Sequence, residues 1–148
     1  MKKSIRIGLL GLSTILLLAL ISEIYDAYNP SDSGDMGSLG FYLETKRADG
    51  GNVDAALHLA KYHEYNGNFK QEYKVLLNLI ESKTVKTQSE WEKIIGSSLE
   101  NCHYTGFMSP KEIMNGFDNA KNYGGLNERT EELRRRWERG EFSKCAIQ

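Results

Sequence analysis

Apolar residues recur at helical spacing through the middle of the chain, from Val53 to Gly124. Residues three and four positions apart lie on one face of a helix, so this spacing predicts amphipathic helices. The predicted helices form two hairpins and a final helix: Val53 to Tyr65 with Phe69 to Ser82, Gln88 to Tyr104 with Pro110 to Tyr123, and Asn127 to Arg139. We therefore predict an all-α domain.

The inward face of each predicted helix follows from its apolar side chains. These are Phe69, Tyr73, Leu76, Leu77 and Ile80 in the second helix, Trp91, Ile94, Ile95, Leu99 and Cys102 in the third, Ile113, Phe117 and Ala120 in the fourth, and Leu126, Leu133 and Trp137 around the last. Two capping boxes are predicted, Thr87 with Glu90 and Ser109 with Glu112, because a hydroxyl and a glutamate three residues apart can satisfy free backbone N–H groups. Pro110 suits the first helical position.

The N-terminus has a different pattern. Lys2, Lys3 and Arg6 precede an uncharged apolar run of 15 residues, from Ile7 to Ile21. A basic start before such a run is typical of an export signal. We predict that residues 1–22 are a signal peptide or signal anchor, with the basic residues inside and the rest of the chain across the membrane.

Whether this segment is cleaved is left open by the residues that follow it. The run is shorter than a membrane span of about 20 residues. Ser22 follows Leu20 and Ile21, and leucine stands where a cleavage site requires a small residue. An uncleaved anchor, holding residues 5–22 in the inner membrane, is therefore favoured over a cleaved signal. The corresponding locations are the periplasmic face of a bacterial inner membrane and the soluble periplasm.

The segment from residue 23 to residue 40 is predicted to be a flexible tether, because it is rich in turn-forming residues and poor in apolar ones. The helical domain then covers residues 41–148. It starts with a short amphipathic piece, Phe41 to Lys46, which could cover the front of the helices that follow.

The chain contains two cysteines, Cys102 and Cys145. An even number of cysteines in an exported protein favours a disulfide. A bridge would tie the C-terminal tail to the second hairpin, and closing a loop of that length stabilises a fold by roughly 3–4 kcal/mol. The alternative is one buried thiol and one thiol in a loose tail.

The one basic cluster consists of Arg134, Arg135, Arg136 and Arg139. Past Ser22 the chain has 16 basic residues (19 minus 3) and 20 acidic ones, a net charge of −4. This sign is wrong for a nucleic-acid binder. Glutamates alternate with the arginines, and the i to i+4 pairs Glu131–Arg135 and Glu132–Arg136 predict a solvated helix face.

The predicted hairpins repeat. Val53, Gln88 and Asn127 begin helices 35 and 39 residues apart, a period typical of helical solenoids. The recurring landmarks are Leu59, His63 and Gly67 in the first hairpin, and Leu99, His103 and Gly106 in the second, which closes on Phe117, Ala120 and Gly124.

On these residues the chain resembles the Sel1-like repeat, a relative of the tetratricopeptide repeat. The first hairpin, with Leu59-Ala60, Gly67-Asn68-Phe69 and Leu76, is equally similar to a tetratricopeptide unit. Glu72 stands where these repeats commonly have alanine, and Phe107-Met108 stands where a Gly-x-Gly turn is usual. The resemblance implies a short α-solenoid of about two and a half repeats, built from antiparallel hairpins.

Aromatic side chains lie near the predicted turns and helix ends, where solenoids present anchors for a partner. The candidates for partner binding are Tyr62, Tyr65, Tyr104, Phe107 and Tyr123. Packing between repeats is the alternative role for them. His63 and His103 occupy the aromatic position of the repeat, which predicts packing. His58 is five residues from His63, a spacing that separates the two across a helix and disfavours a metal site.

No catalytic motif, cofactor site or metal site is predicted. The resemblance implies an exported binding module, and its sharper form is an immunity protein that neutralises an antibacterial effector in the periplasm. The alternatives are an adaptor in an envelope assembly, a membrane-tethered spacer, and a small cell-envelope hydrolase that uses Glu64 or Glu100 beside a histidine.

Overall fold

The computed structural model of the protein describes residues 16–22 and 36–145. Six helices form the domain: α1 (Ser38–Asp49), α2 (Val53–Tyr65), α3 (Phe69–Glu81), α4 (Gln88–Thr105), α5 (Pro110–Tyr123) and α6 (Glu128–Glu138). A short 3-10 turn, Ser143–Cys145, follows them. The described residues contain no strand, so the predicted all-α class is confirmed.

The helices begin at side chains that satisfy the free backbone N–H groups of a first turn. Both predicted capping boxes are present, at Thr87 before α4 and at Ser109 before α5. Asn52 caps α2 by accepting a hydrogen bond from the Ala55 N–H at 2.8 Å. Gly106 ends α4 in the left-handed conformation, with φ of 72°, which glycine adopts at no steric cost.

Consecutive helices from α1 to α5 pack against each other, and α2 with α4, α3 with α5 and α4 with α6 are also in contact. The turns between α2 and α3 and between α4 and α5 therefore lie at the same end of the domain. A contact between the two hairpins supports this: Asn101 Nδ2, near the end of α4, lies 3.5 Å from the Phe69 carbonyl oxygen at the start of α3.

The core is centred on α4. All five of its predicted inward residues are buried, as are the three predicted in α5. In α3, Leu76 and Ile80 are buried, but the prediction for Phe69 is wrong: 38% of its surface is exposed. Phe69 is the first residue of α3 and lies at the turn, beyond the face that packs on α4. Glu72 occupies that face instead and is 3% exposed.

The C-terminal tail folds back onto α4. Cys145 is paired with Cys102, with Cα atoms 5.7 Å apart, inside the range of disulfides. Trp137 Nε1 donates a hydrogen bond to the Cys145 carbonyl oxygen at 2.7 Å, and Phe142 is buried beside His103. The tail thus covers the last turns of α4.

The N-terminal side differs in one boundary from the prediction. The tether was predicted to extend to Gly40, but α1 begins at Ser38, with Gly37 as its N-cap, and Met36 is already buried. Residues 16–22 are helical and their leucines are exposed. In the described part of the chain, no helix combines the length and the apolarity needed to cross a membrane. The remainder of the predicted signal, residues 1–15, and tether residues 23–35 lie outside the described residues, as do residues 146–148.

The arginines of α6 lie on a charged, solvated surface, but their partners are not those predicted. Arg135 pairs with Glu132 at 3.1 Å, and Arg136 pairs with Glu141 at 2.8 Å. Arg139 also contacts Glu141, at 2.7 Å. The turn at Gly140 brings Glu141 back beside the helix. Glu141 therefore takes the place of Glu132 as the partner of Arg136.

Candidate functional site

Four exposed aromatic side chains lie at the end of the domain where the two hairpins turn. We call this surface the aromatic end: Tyr65, Phe69, Tyr104 and Phe107. Tyr65 ends α2 and Phe69 begins α3, whereas Tyr104 and Phe107 lie on either side of the left-handed Gly106. Each pair is therefore positioned by a turn, and the parallel course of α2 and α4 brings the two pairs to the same end.

These rings are unusually exposed for their size. The exposed fraction is 65% for Tyr65, 66% for Tyr104, 48% for Phe107 and 38% for Phe69. Large exposed rings that share one surface are typical of interaction sites. The backbone beneath Tyr104 is held in place, because Lys144 Nζ of the tail donates a hydrogen bond to its carbonyl oxygen at 2.6 Å.

The other two predicted anchors have different surroundings. Tyr62 is half-buried, with its ring 5.1 Å from that of Phe41 and 5.7 Å from that of His63, so it packs between α1 and α2. Tyr123 is 49% exposed, but it ends α5 and therefore lies at the opposite end of the domain. The structure thus separates Tyr123 from the other four predicted residues and adds Phe69, which the helical pattern had placed in the core.

A cavity of about 290 Å³, which we call the acidic cleft, lies between α2, α3 and α4. Four carboxylates line it together with three basic side chains: Asp54, Glu64, Glu72 and Glu100, and His58, Lys61 and Lys93. Glu72 Oε2 accepts a hydrogen bond from Asn101 Nδ2 at 2.9 Å. Burial raises the pKa of Glu72 to about 7, against the lowering effect of the Asn101 hydrogen bond and with a further increase from the negative charges of Glu64 and Glu100.

The pKa of Glu100 is also raised. Burial is the largest cause and the charge of Glu64 is the second, whereas Lys61 opposes both. Two of the four carboxyl groups therefore favour the neutral form more than a free glutamate does. One feature of the sequence indicates this cleft: Glu72 stands where a helical repeat commonly has a small residue.

A second cavity lies on the other side of α2. It has a volume of about 470 Å³, separates α1 from α3, and is lined by side chains that include Phe41, Leu59 and His63. Burial lowers the pKa of His63, and its Nδ1 has no hydrogen-bond partner among the described residues. Apart from His63, the lining residues carry one charged group, Asp49 at the end of α1.

His58 lines the acidic cleft with Glu64 and Glu100, but no histidine nitrogen of the described residues lies within 4.0 Å of either carboxylate. His103 packs edge-on against Tyr104 and Phe142, with ring centroids 4.9 and 6.0 Å away. Among the described residues, the one histidine nitrogen within 4.0 Å of a carboxylate is His58 Nδ1, 3.6 Å from Glu44 Oε2. No group of three or more histidine, cysteine or acidic side chains in residues 16–22 and 36–145 could hold a metal ion.

No family model, curated protein or solved structure matches the chain. The aromatic end, the acidic cleft and the cavity between α1 and α3 are thus the features from which a function can be inferred. Of these, the aromatic end groups four of the six exposed aromatic side chains in residues 36–145; the other two are Tyr42 and Tyr123.

Proposed function

We propose that this protein is an exported binding module that docks another protein on its aromatic end. The observation that carries the proposal is the exposure of four rings on one surface, at two turns of a disulfide-linked helical domain. Rings on rigid turns provide large contact areas and lose little conformational entropy on binding, which is why aromatic residues dominate binding hot spots.

We further propose that the helices form a short α-solenoid of the Sel1-like or tetratricopeptide-like kind. This is supported by the contact pattern, in which helices pack on their neighbours and on the next helix but one. In this arrangement α1 is a half-repeat that covers α2. On the resemblance to Sel1-like repeats, the partner we propose is an antibacterial effector, and the protein would then act as its immunity protein.

Location is part of the same proposal. The basic N-terminus, the apolar run and the pairing of Cys102 with Cys145 support a position outside the cytoplasm, because disulfides persist in oxidising compartments. Fusions of alkaline phosphatase and of β-galactosidase after Gln148 test this in a bacterial host. We expect an active phosphatase and an inactive galactosidase; the reverse would refute export.

Site-specific photo-cross-linking in the native host tests the docking site. A photoreactive phenylalanine analogue would replace Tyr65, Tyr104 or Tyr123 in separate variants. All three side chains are exposed, but Tyr123 is at the opposite end and is therefore the matched control. We expect one protein to be captured from the Tyr65 and Tyr104 positions and not from Tyr123.

The identity of the captured protein distinguishes an effector from an envelope-assembly component. Equal capture from all three positions, or capture from Tyr123 alone, would refute docking on the aromatic end. The cross-linked mass and peptide are read by mass spectrometry, so that the contact is assigned to a residue of the partner.

A further inference from the structure

The ends of α2 and α4 occupy equivalent places in the two hairpins, but their last backbone carbonyl groups are satisfied differently. The last four carbonyl groups of a helix have no partner within the helix. At the end of α2 the turn that follows supplies the donors. The backbone N–H groups of residues 66–68 each donate to a carbonyl oxygen near the end of α2, at 3.1, 2.9 and 2.7 Å. This helix end is therefore closed by local backbone.

The end of α4 is completed by the C-terminal tail. The Gly106 N–H donates to the Cys102 carbonyl oxygen at 2.9 Å. The donor to the Tyr104 carbonyl oxygen is Lys144 Nζ, at 2.6 Å, and it comes from 40 residues further along the chain. A lysine ammonium group at this position also compensates the negative end of the helix dipole. The helix end that carries Tyr104 thus depends on a remote segment.

A row of rings links the tail to Tyr104 by a second route. Phe142 packs edge-on against His103, with ring centroids 6.0 Å apart, and His103 packs edge-on against Tyr104 at 4.9 Å. Phe142 is 8% exposed, whereas Tyr104 is 66% exposed. A buried ring of the tail therefore supports, through His103, an exposed ring of the aromatic end.

The disulfide holds the tail in this position. Cys145 follows Lys144 directly and is paired with Cys102 in the last turn of α4. The stem of Lys144 passes beside Gly106, because a Cβ at Gly106 would lie 4.0 Å from Lys144 Cδ. An intact bridge keeps the lysine ammonium group within reach of the helix end. Without the bridge, only noncovalent contacts hold the tail.

We infer that the disulfide-linked tail positions part of the docking surface: Lys144 and Phe142 hold Tyr104 in the orientation that the partner contacts. This rests on the proposed function and adds a condition to it, because the complete aromatic end requires the oxidised chain. When the bridge forms, two thiols pass two electrons and two protons to a disulfide-bearing oxidant, which becomes a dithiol. Tyr65 belongs to the locally closed α2, so its position is independent of the tail.

Fluorine NMR of the full-length protein tests the positioning without a partner. A fluorinated tyrosine replaces Tyr104 or Tyr65 in separate samples, and each sample is compared with and without Lys144→Met, which keeps the apolar stem and removes the donor. We expect Lys144→Met to shift and sharpen the signal at position 104 and to leave the signal at position 65 unchanged. Amide exchange of Gly106 should become about fivefold faster, because the last turn of α4 frays.

Matched variants assign the effect to the tail. Lys144→Arg retains a donor and should restore the wild-type signal of Tyr104. Lys111→Met removes the same charge from the first turn of α5 and should change neither signal. Replacement of both cysteines by serine should shift the Tyr104 signal at least as far as Lys144→Met does. If the serine variant does not fold, Lys144→Met decides alone, since it removes one hydrogen bond of an exposed side chain.

A double-mutant cycle tests the docking role, with the protein captured through Tyr65 as the purified probe. Tyr104→Ala should weaken its binding about fivefold in the wild-type background and less than about twofold in the Lys144→Met background. Tyr65→Ala should weaken binding equally in both backgrounds. If the tail acts on stability alone, the effect of Tyr104→Ala is the same in both.

The inference is overturned if the Tyr104 signal is unchanged by Lys144→Met, if the Tyr65 signal shifts as far, or if Lys111→Met has the same effect. Equal effects of Tyr104→Ala in the two backgrounds also overturn it. All of these outcomes leave capture through Tyr65 intact. Capture of no protein would instead refute the proposed function and leave the tail as a structural cap of α4, without a role in docking.

Discussion

The two hairpins have the same topology but very different interiors. Around α4 and α5 the core contains large rings such as Trp91 and Phe117, both helices start with capping boxes, and the disulfide joins the tail to Cys102. Around α2 and α3 the buried residues include alanines and the carboxyl group of Glu72. Both cavities described above border α2.

The contacts between neighbouring hairpins differ in the same way. Between α3 and α5 the packing is close: a Cβ at Gly116 would be in ordinary contact with Ile80, 3.6 Å away, and Asn119 Nδ2 donates to the Ile80 carbonyl oxygen at 2.8 Å. Between α1 and α3 a cavity of about 470 Å³ remains. The comparison teaches that the tightly packed contacts lie around the second hairpin, whereas the open volume lies around the first.

Truncation of the central ring of the second hairpin should have the largest effect. Trp91 is fully buried, and a Cβ at Gly124 would lie 2.5 Å from its Cδ1, so it is packed without spare room. Trp91→Ala should lower the free energy of unfolding by about 3–5 kcal/mol, measured by denaturant titration. The control is Tyr104→Ala, an exposed ring on the same helix; equal losses in both variants would contradict the tight packing described for the second hairpin.

Removal of the cross-link should have the next largest effect. Cys102 and Cys145 are 43 residues apart, and replacement of both by serine should cost about 3–4 kcal/mol of stability because the unfolded chain gains freedom. Mass tagging of thiols in denatured, unreduced protein should add nothing to the wild type. Two tags per chain in protein taken from the periplasm would refute the bridge.

The sequence predicts the second hairpin almost completely, because its signals are local. Capping boxes at Thr87 and Ser109, the left-handed Gly106 and the apolar periodicity of α4 all agree with one another and with the structure. A fold can be predicted from one sequence when its local signals, such as caps, turns and apolar periodicity, all favour the same arrangement.

The first hairpin was predicted less well because its side chains are decided by tertiary contacts. Periodicity placed Phe69 on the inward face, whereas the structure exposes Phe69 and buries Glu72 against α4. The grouping of Tyr65 with Tyr104 depends on the parallel course of α2 and α4, which periodicity does not encode. The sequence therefore predicted Tyr65, Tyr104 and Phe107 as separate candidates, but not the surface that they form with Phe69.

Replacement of Glu72 by a neutral residue should change the free energy of unfolding less than the two changes above. It should raise this free energy, whereas the other two changes lower it. The pKa of Glu72 is about 7 in the folded protein against an ordinary value of 4.5, so the folded state binds the proton more tightly. The contribution of this group to stability is fully present below about pH 4.5 and is lost as pH rises through about 7.

Glu72→Gln should therefore raise the free energy of unfolding at pH 8 by about 2 kcal/mol and flatten its dependence on pH between these values. Thermal melting of the variant and the wild type across this pH range measures both effects. The exposed Glu128→Gln change serves as the control. A variant that melts below the wild type at pH 8 would show that ionised Glu72 stabilises the first hairpin.

The binding module itself is tested most directly by the affinity of two tyrosine variants for the partner captured by cross-linking. Tyr65 and Tyr123 are both exposed, so neither Tyr65→Ala nor Tyr123→Ala should change the melting temperature appreciably. Tyr65→Ala should weaken binding by about 1 kcal/mol or more, as aromatic anchors do, whereas Tyr123→Ala should bind like the wild type. Wild-type affinity of the folded Tyr65→Ala variant, or loss of affinity in Tyr123→Ala alone, would contradict docking on the aromatic end.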